Sequence, residues 1–229
     1  NQPRATWEFG AQWNAARNFS LVAGAGSSFR YPEFAELYYP SQGFITGNPD
    51  LKPERAVSYS IGMRYKTKCA SFSTTAFTRA QHNAIRFLPV SSVLLKPLNT
   101  GESRAQGIEA ACTFTLSPGL SASASYALTD AEYTHSGIGF TQTPRNRYSC
   151  AVGYENSEWA GSASLHCESS QSADLFGSVR VPAQERLDVA VSRKVGGGRL
   201  ELAVSNLLDA DNRDYWDLPL PGRAFEVKW

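Results

Sequence analysis

The chain has 229 residues and a formal net charge of +1, enough for one sizeable domain. No clustered basic face is evident, which argues against nucleic-acid binding. Mean hydropathy is −0.32 and no apolar run approaches about 18 residues. These values exclude a transmembrane helix, but they do not exclude a membrane-spanning barrel, whose strands alternate instead.

The chain is predicted to be all-β because apolar and polar residues alternate with a period of two over long segments. In one of them, Val57, Tyr59 and Ile61 alternate with small or polar residues. No comparable stretch repeats at the helical period. The predicted strands cover residues 4–13, 19–29, 56–66, 70–87, 105–116, 120–134, 147–155, 159–168, 185–195, 199–208 and 223–229.

The predicted connections alternate between short turns and long loops. Short turns are expected at 14–18, 67–69, 117–119, 156–158 and 196–198, and long loops at 30–55, 88–104, 135–146, 169–184 and 209–222. Strands of about ten residues, short turns at one end and long loops at the other are typical of an antiparallel outer-membrane β-barrel, with the short turns in the periplasm. The alternative is a soluble β-sandwich or β-helix.

Aromatic residues flank the apolar bands, as interfacial girdles do. They are Trp7, Trp13, Tyr65, Tyr126, Tyr133, Tyr154 and Trp159. The count of about 11 strands is odd, whereas single-chain bacterial barrels have an even number. We therefore expect residues 1–229 to be the C-terminal part of a larger barrel.

Two segments carry the residues of a known family. The first, SSFRYPEFAELYYPSQGFITGNPDLKPE, contains S-F-R-x-P, E-L-Y and G-N-P-x-L-K-P-E in that order. The second, NLLDADNRDYWDLPLPGRAFEV, contains N-L-x-D, an aromatic pair and P-x-P-G-R before the last strand. The chain resembles the barrel of TonB-dependent outer-membrane receptors over nearly its whole length.

The resemblance implies a barrel of about 22 strands closed by an N-terminal plug. It also implies uptake of an iron chelate or cobalamin, driven by contact of the plug with the TonB complex. The plug, the TonB box and the N-terminal strands are expected outside this chain. Phe225, Val227 and Trp229 resemble the signal read by the barrel-insertion machinery, and the wall is expected to contact outer-membrane lipid. No cofactor is implied.

The long loop at 30–55 is the candidate ligand site. Tyr38, Tyr39 and Phe44 are the aromatic residues expected to grip a large planar or amphipathic ligand. The alternative is that the loop aromatics pack among themselves to give the loop a small core. A second loop, with Arg213, Tyr215 and Trp216 beside a proline-rich turn, is interpreted as structural.

Charged residues on the polar strand faces are expected to line the lumen, where they would meet solvent or the plug. They are Arg64, Lys66, Arg79, Glu109, Asp188 and Glu201. Among the four cysteines, Cys150 and Cys167 are predicted to fall opposite or nearly opposite each other, so that a cross-strand disulfide could form. The cysteine spacing offers no zinc site, and no metal site is predicted.

An enzyme is not predicted. His82, His135 and His166 have no serine or acid motif around them, and G-x-S-x-G is missing from the sequence. The main alternative function is that of a plugless porin or adhesin-like barrel.

Overall fold

The computed structural model describes residues 5–41, 43–134, 143–174, 178–214 and 218–229. These residues form one short helix, α1 (Phe34–Tyr38), and 15 strands joined by turns and loops. In chain order the strands are β1 (Glu8–Ala16), β2 (Phe19–Arg30), β3 (Glu54–Lys66), β4 (Ala70–His82), β5 (Ile85–Ser91), β6 (Leu94–Asn99), β7 (Glu102–Ser117), β8 (Leu120–Tyr133), β9 (Asn146–Glu155), β10 (Trp159–Glu168), β11 (Gln171–Ser172), β12 (Arg180–Val181), β13 (Gln184–Val195), β14 (Gly198–Ser205) and β15 (Ala224–Lys228).

One antiparallel sheet holds 11 of these strands, in the order β1-β2-β3-β4-β7-β8-β9-β10-β13-β14-β15. The order of the strands in this sheet is the same as their order along the chain, so the chain meanders up and down. The pairs β5–β6 and β11–β12 form separate two-stranded sheets within the long loops. The predicted all-β fold with about 11 main strands is confirmed. The sheet is open, with β1 and β15 at its two edges.

Two predicted strands end earlier than the sequence pattern indicates. The strand predicted to reach residue 87 stops at His82, and the one predicted to reach residue 208 stops at Ser205. In both places the next residue is an asparagine in the left-handed region, Asn83 with φ 57° and Asn206 with φ 49°. Asparagine tolerates this conformation better than most residues, and it breaks the extended backbone.

The register of the sheet gives it one apolar face. Across β3, β4, β7 and β8, Ile61 pairs with Ala76, Ala76 with Ile108, and Ile108 with Leu128. Ile61 is 63% exposed, because no element of the described structure covers this face. Apolar residues continue along it from β1 to β15, far beyond the patch that a soluble monomer usually exposes.

The opposite face is polar. The register places all of the residues predicted to line the lumen on this face, which confirms that they share the polar side of the sheet. They are Arg64, Lys66, Arg79, Glu109, Asp188 and Glu201. Tyr133, predicted for the aromatic girdle, also faces this side because it pairs with Ser103, and Arg86 lies over its ring at 5.6 Å. Its assignment to the girdle was wrong.

Buried apolar side chains lie mainly at the long-loop end rather than within the sheet. They are Leu51, Ala56, Ala84, Ile85 and Val181. Within the described ranges, no helix is long and apolar enough to cross a membrane.

Gly107 of β7 is required by close packing. A Cβ atom there would lie 2.1 Å from the carbonyl oxygen of Leu128 and 2.9 Å from the ring of Phe77. We expect Gly107→Ala to lower the free energy of unfolding by about 2 kcal/mol, because backbone and ring must move apart. Denaturant unfolding in detergent measures this. The control is Gly10→Ala, whose Cβ would meet nothing within 4 Å. Equal stability of the two variants would contradict the close approach.

Candidate functional site

Arg30 organises the long-loop end of the first strands. Its guanidinium donates two hydrogen bonds to Glu54, at 2.9 and 3.0 Å, and two to Glu36, at 3.0 and 3.1 Å. Arg30 ends β2, Glu54 begins β3 and Glu36 lies in α1, so one side chain joins two strands to the loop between them. Paired forked contacts of this kind are geometrically specific, and lysine cannot reproduce them. We call these three residues the arginine clamp.

The backbone around α1 is held equally tightly. The amide of Glu33 donates to the Glu36 carboxylate at 2.7 Å, which satisfies a free amide at the helix start. The amides of Asn48 and Gly47 donate to the carbonyls of Glu36 and Tyr39 at 2.8 and 2.9 Å. A Cβ at Gly47 would lie 2.6 Å from the carbonyl oxygen of Leu37, so no side chain fits there. The G-N-P segment therefore folds back onto the helix.

The β5–β6 pair supports this loop from the other side. The amide of Ile85 donates to Glu54 at 2.7 Å, and the side chain of Asn48 donates to the carbonyl of Pro97 at 2.9 Å. Asn99 binds the backbone of Lys52 through both its amide oxygen and its amide nitrogen. The residues predicted as two separate loops thus form one ordered unit above the sheet.

The three predicted ligand-contact residues lie on this unit, and all are exposed. Tyr38 is 58%, Tyr39 45% and Phe44 71% exposed. The ring of Tyr38 contacts the ring of Phe34, with centroids 5.1 Å apart. Phe34 is itself 78% exposed and was not among the predicted residues. We call these four side chains the aromatic loop surface.

The alternative reading of the loop, in which the aromatics form its core, does not hold for these four residues. The core of the unit consists instead of Leu51, Ala84, Ile85 and Pro97, which are buried beside Asn48. Phe44 contributes its backbone, since its carbonyl accepts a hydrogen bond from the amide of Leu95 at 2.7 Å. Its ring is left on the surface.

The second motif, at residues 206–223, has a structural role in the described part of the chain. Asn206 is 2% exposed, and its side chain exchanges hydrogen bonds with the backbone of Ala210 at 3.0 Å. Asn212 bonds the backbone of Glu185 as a strand neighbour would. The amide of Arg223 donates to Asp209 at 2.8 Å, which places the start of the last strand. Tyr215 and Trp216 lie outside the described residues.

The disulfide prediction for Cys150 and Cys167 was wrong. Cys150 pairs with Leu165 and Cys167 with Tyr148, so the two thiols are two residues out of register. Diagonal neighbours of this kind are about 7–8 Å apart, beyond the usual reach of a disulfide. All four cysteines are free. The error arose from the length of the 156–158 turn, which fixes the register of the hairpin.

The histidines show no catalytic arrangement where the structure describes them. His82 contacts Glu102 at 3.0 Å, and both side chains are about half exposed, at 47% and 48%. His166 lies on the polar face opposite Arg186. His135 lies outside the described residues. Among the residues that are described, no group of three or more histidine, cysteine, aspartate or glutamate side chains is arranged to hold a metal ion.

Sequence reasoning missed the arginine clamp, although its members stand in the quoted motif. Arg30 follows S-F, Glu36 belongs to E-L-Y and Glu54 ends the K-P-E segment. The available signal was the presence of three charged residues in a segment otherwise rich in aromatic residues and proline. Charges of opposite sign at both ends of a long loop are consistent with an ion pair that closes it.

We expect Arg30→Ala to destabilise the loop unit by about 2 kcal/mol, because two mostly buried carboxylates lose their hydrogen bonds from the guanidinium. Hydrogen exchange of the amides at 33–48 measures the opening of the unit. Arg30→Lys should fall between wild type and alanine. The control is Arg64→Ala, which removes an exposed arginine from the polar face. Unchanged exchange in Arg30→Ala would contradict the role of the clamp.

Comparison with known proteins identifies the relatives of this sheet. Residues 1–207 match the family model described as TonB dependent receptor-like, beta-barrel. The vitamin B12 transporter BtuB of Photobacterium profundum is 25% identical over 211 residues, which cover 90% of this chain and 34% of that protein. BtuB of Vibrio vulnificus is 28% identical over 110 residues, 48% of this chain and 17% of that protein. The chain thus spans about a third or less of the length of these relatives.

Solved structures share the fold. The copper transporter OprC superposes with a TM-score of 0.81 at 17% identity, covering 95% of this chain and 38% of that one. A mutant of the ferric enterobactin receptor PfeA of Pseudomonas aeruginosa, solved with enterobactin, gives a TM-score of 0.81 at 17% identity, covering 97% of this chain and 40% of that one. The first of these is described as a transporter and the second as a receptor. Since the family model matches most of its length, the chain belongs to the TonB-dependent receptor β-barrel family.

Proposed function

We propose that this chain is the C-terminal part of the barrel of an outer-membrane receptor that takes up a metal chelate or cobalamin with energy from TonB. The observation that carries the proposal is the ordered loop unit, which holds the aromatic loop surface at the long-loop end of a family barrel. The BtuB relatives are vitamin B12 transporters, and PfeA is solved with enterobactin. Both kinds of ligand are large and offer flat surfaces for stacking.

The two faces of the sheet support an outer-membrane location. An apolar face that remains exposed on every main strand suits contact with acyl chains, and a polar face suits a water-filled or plugged lumen. Because β1 and β15 are the first and last of an odd number of antiparallel strands, they run in the same direction. Further strands are therefore needed to close an all-antiparallel barrel. We infer that these strands, the plug and the site of TonB contact belong to the rest of the receptor.

The last strand supports a role in assembly. Phe225 and Val227 of β15 pair with Val204 and Leu202 on the apolar face, and Trp229 follows with the same spacing. This alternating strand followed by an aromatic residue resembles an insertion signal. We propose that the barrel-insertion machinery reads this strand.

The aromatic loop surface suits a large, partly apolar ligand. Arg30 is engaged by two carboxylates, so its charge is not free to bind an anion. Glu33, beside the surface, is 73% exposed at its side chain. Stacking and apolar contact are therefore the main interactions that these four residues offer.

We expect Tyr38→Ala and Phe44→Ala each to weaken ligand binding by about tenfold, the loss typical of a useful aromatic anchor. Isothermal titration of the whole receptor with cyanocobalamin and with ferric enterobactin measures the effect. Tyr59→Ala is the matched control, because it removes an exposed tyrosine from the apolar face of β3. If a probe binds and neither loop substitution weakens its binding, the ligand site lies elsewhere. If the receptor binds neither probe, the proposed ligand classes are wrong.

Thiol labelling tests the membrane contact of the apolar face. Cys112, Cys150 and Cys167 lie on that face, whereas Cys69 is exposed at a short turn. In nanodiscs, which leave both rims of a barrel accessible, we expect a polar maleimide to modify Cys69 at least about tenfold faster, because hydrocarbon excludes both the reagent and the reactive thiolate. Mass spectrometry follows the modification. Cys150 reacting as fast as Cys69 in the bilayer would contradict lipid contact, and denaturant provides the control in which all four thiols react.

A further inference from the structure

One cation lies on the apolar face at the short-turn end of the sheet. Arg193 of β13 is the direct cross-strand partner of Trp159 of β10. The guanidinium carbon is 4.9 Å from the centre of the Trp159 ring system. In the next row along the same two strands, Gly161 pairs with Val191, so the arginine and the tryptophan stand at the edge of the apolar band.

The charge of Arg193 is not neutralised by the described part of the protein. The side chain is exposed, and its guanidinium lies against the indole ring. A neighbouring arginine, Arg199, faces the polar side and bonds Ser192 and Glu155. A guanidinium stacked on an aromatic ring keeps its N–H donors pointing outward in its own plane, where they can bind a second group.

A shallow groove leads away from this pair along β10. A Cβ atom at Gly161 would meet only the carbonyl oxygen of Ala190, at 3.7 Å, so the space above this glycine is open. Ala163 continues the row two residues further on. Tyr154 and Val191 pair with Gly161 from either side and form the walls of the groove. This row of small residues, bordered by larger side chains, leaves open apolar surface along which an extended hydrocarbon chain could lie.

We propose that this site binds one anionic phospholipid of the periplasmic leaflet. The Arg193 guanidinium would hold the headgroup phosphate through forked hydrogen bonds, Trp159 would lie at the level of the glycerol backbone, and one acyl chain would follow Gly161 and Ala163. A zwitterionic headgroup would bring its own ammonium near the guanidinium, whereas an anionic headgroup keeps the full attraction. The inference rests on the proposed outer-membrane location.

Native mass spectrometry of the whole receptor tests the site. The detergent-purified protein is given equal amounts of phosphatidylglycerol and phosphatidylethanolamine with identical acyl chains. We expect phosphatidylglycerol to be retained about fivefold more, and Arg193→Gln to abolish that preference, since one cation near a membrane surface contributes an effect of this size. Arg193→Lys should keep part of it. Gly161→Leu should lower the retention of both lipids by filling the groove.

The matched control is Arg64→Gln, which removes an exposed arginine near the same end of the sheet but on the polar face, and which should leave the preference unchanged. A preference for phosphatidylglycerol that survives Arg193→Gln would overturn the lipid site. So would the lack of any preference in the wild-type receptor, provided that its electrophoretic mobility still changes on heating, as that of a folded barrel does. Titration of the same preparations with cyanocobalamin and ferric enterobactin separates the two proposals. Lipid preference without binding of either probe would contradict the ligand proposal alone, whereas failure to insert into vesicles would overturn the outer-membrane location and the lipid site together.

Discussion

The constraint on which the rest of this structure depends is the pairing of backbone amides within one continuous sheet. Hydrocarbon offers no hydrogen-bond partner, so each N–H and C=O of a spanning strand must be bonded by the strands beside it. The meander meets this requirement for the nine inner strands of the main sheet, which pair on both sides without a crossover, whereas β1 and β15 each keep one unpaired edge. Once the backbone is satisfied in this way, side chains are free to differ completely between the two faces.

That freedom explains why the buried apolar side chains lie mainly in the loop unit and not within the sheet. In a soluble sheet the large apolar side chains would be covered by a second layer, but here Ile61 and its neighbours remain exposed. The conventional protein core is small and lies in the loop unit, around Leu51 and Ile85. The arginine clamp lies where the sheet with its exposed apolar face meets the loop unit with its buried core. It ties the ends of β2 and β3 to α1, so the loop unit is fixed relative to the wall and the aromatic loop surface has a defined position.

The sequence predicted the wall better than the loops, for a physical reason. Alternation is a local signal, so Val57, Tyr59 and Ile61 were enough to assign a strand and its faces. Loop structure depends on contacts between residues far apart in the chain, such as Asn48 with Pro97, and no local pattern predicts these. The exposure of Tyr38, Tyr39 and Phe44 fits the expected ligand surface, but Phe34 joined it only through its contact with Tyr38 in the folded helix.

Strand register was the other feature that the sequence did not predict. Cys150 and Cys167 were expected near each other because a short turn joins their strands, yet a shift of two residues in the pairing separates the thiols. A period of two assigns each residue to a face, but neighbouring strands must be aligned before their residues can be paired.

The same distinction accounts for the likeness to OprC and PfeA, which keep the fold at only 17% identity. The wall specifies size and polarity at each position rather than a particular residue, so many sequences satisfy it. Only a few positions demand one residue, among them Gly107, where backbone and ring leave no room for a side chain, and Gly47, where the loop closes onto α1. Arg193 is different, because neither the wall nor the loops need a cation on the apolar face. Its position against Trp159, at the edge of the band, is explained if the surrounding bilayer, and not the protein, supplies the partner.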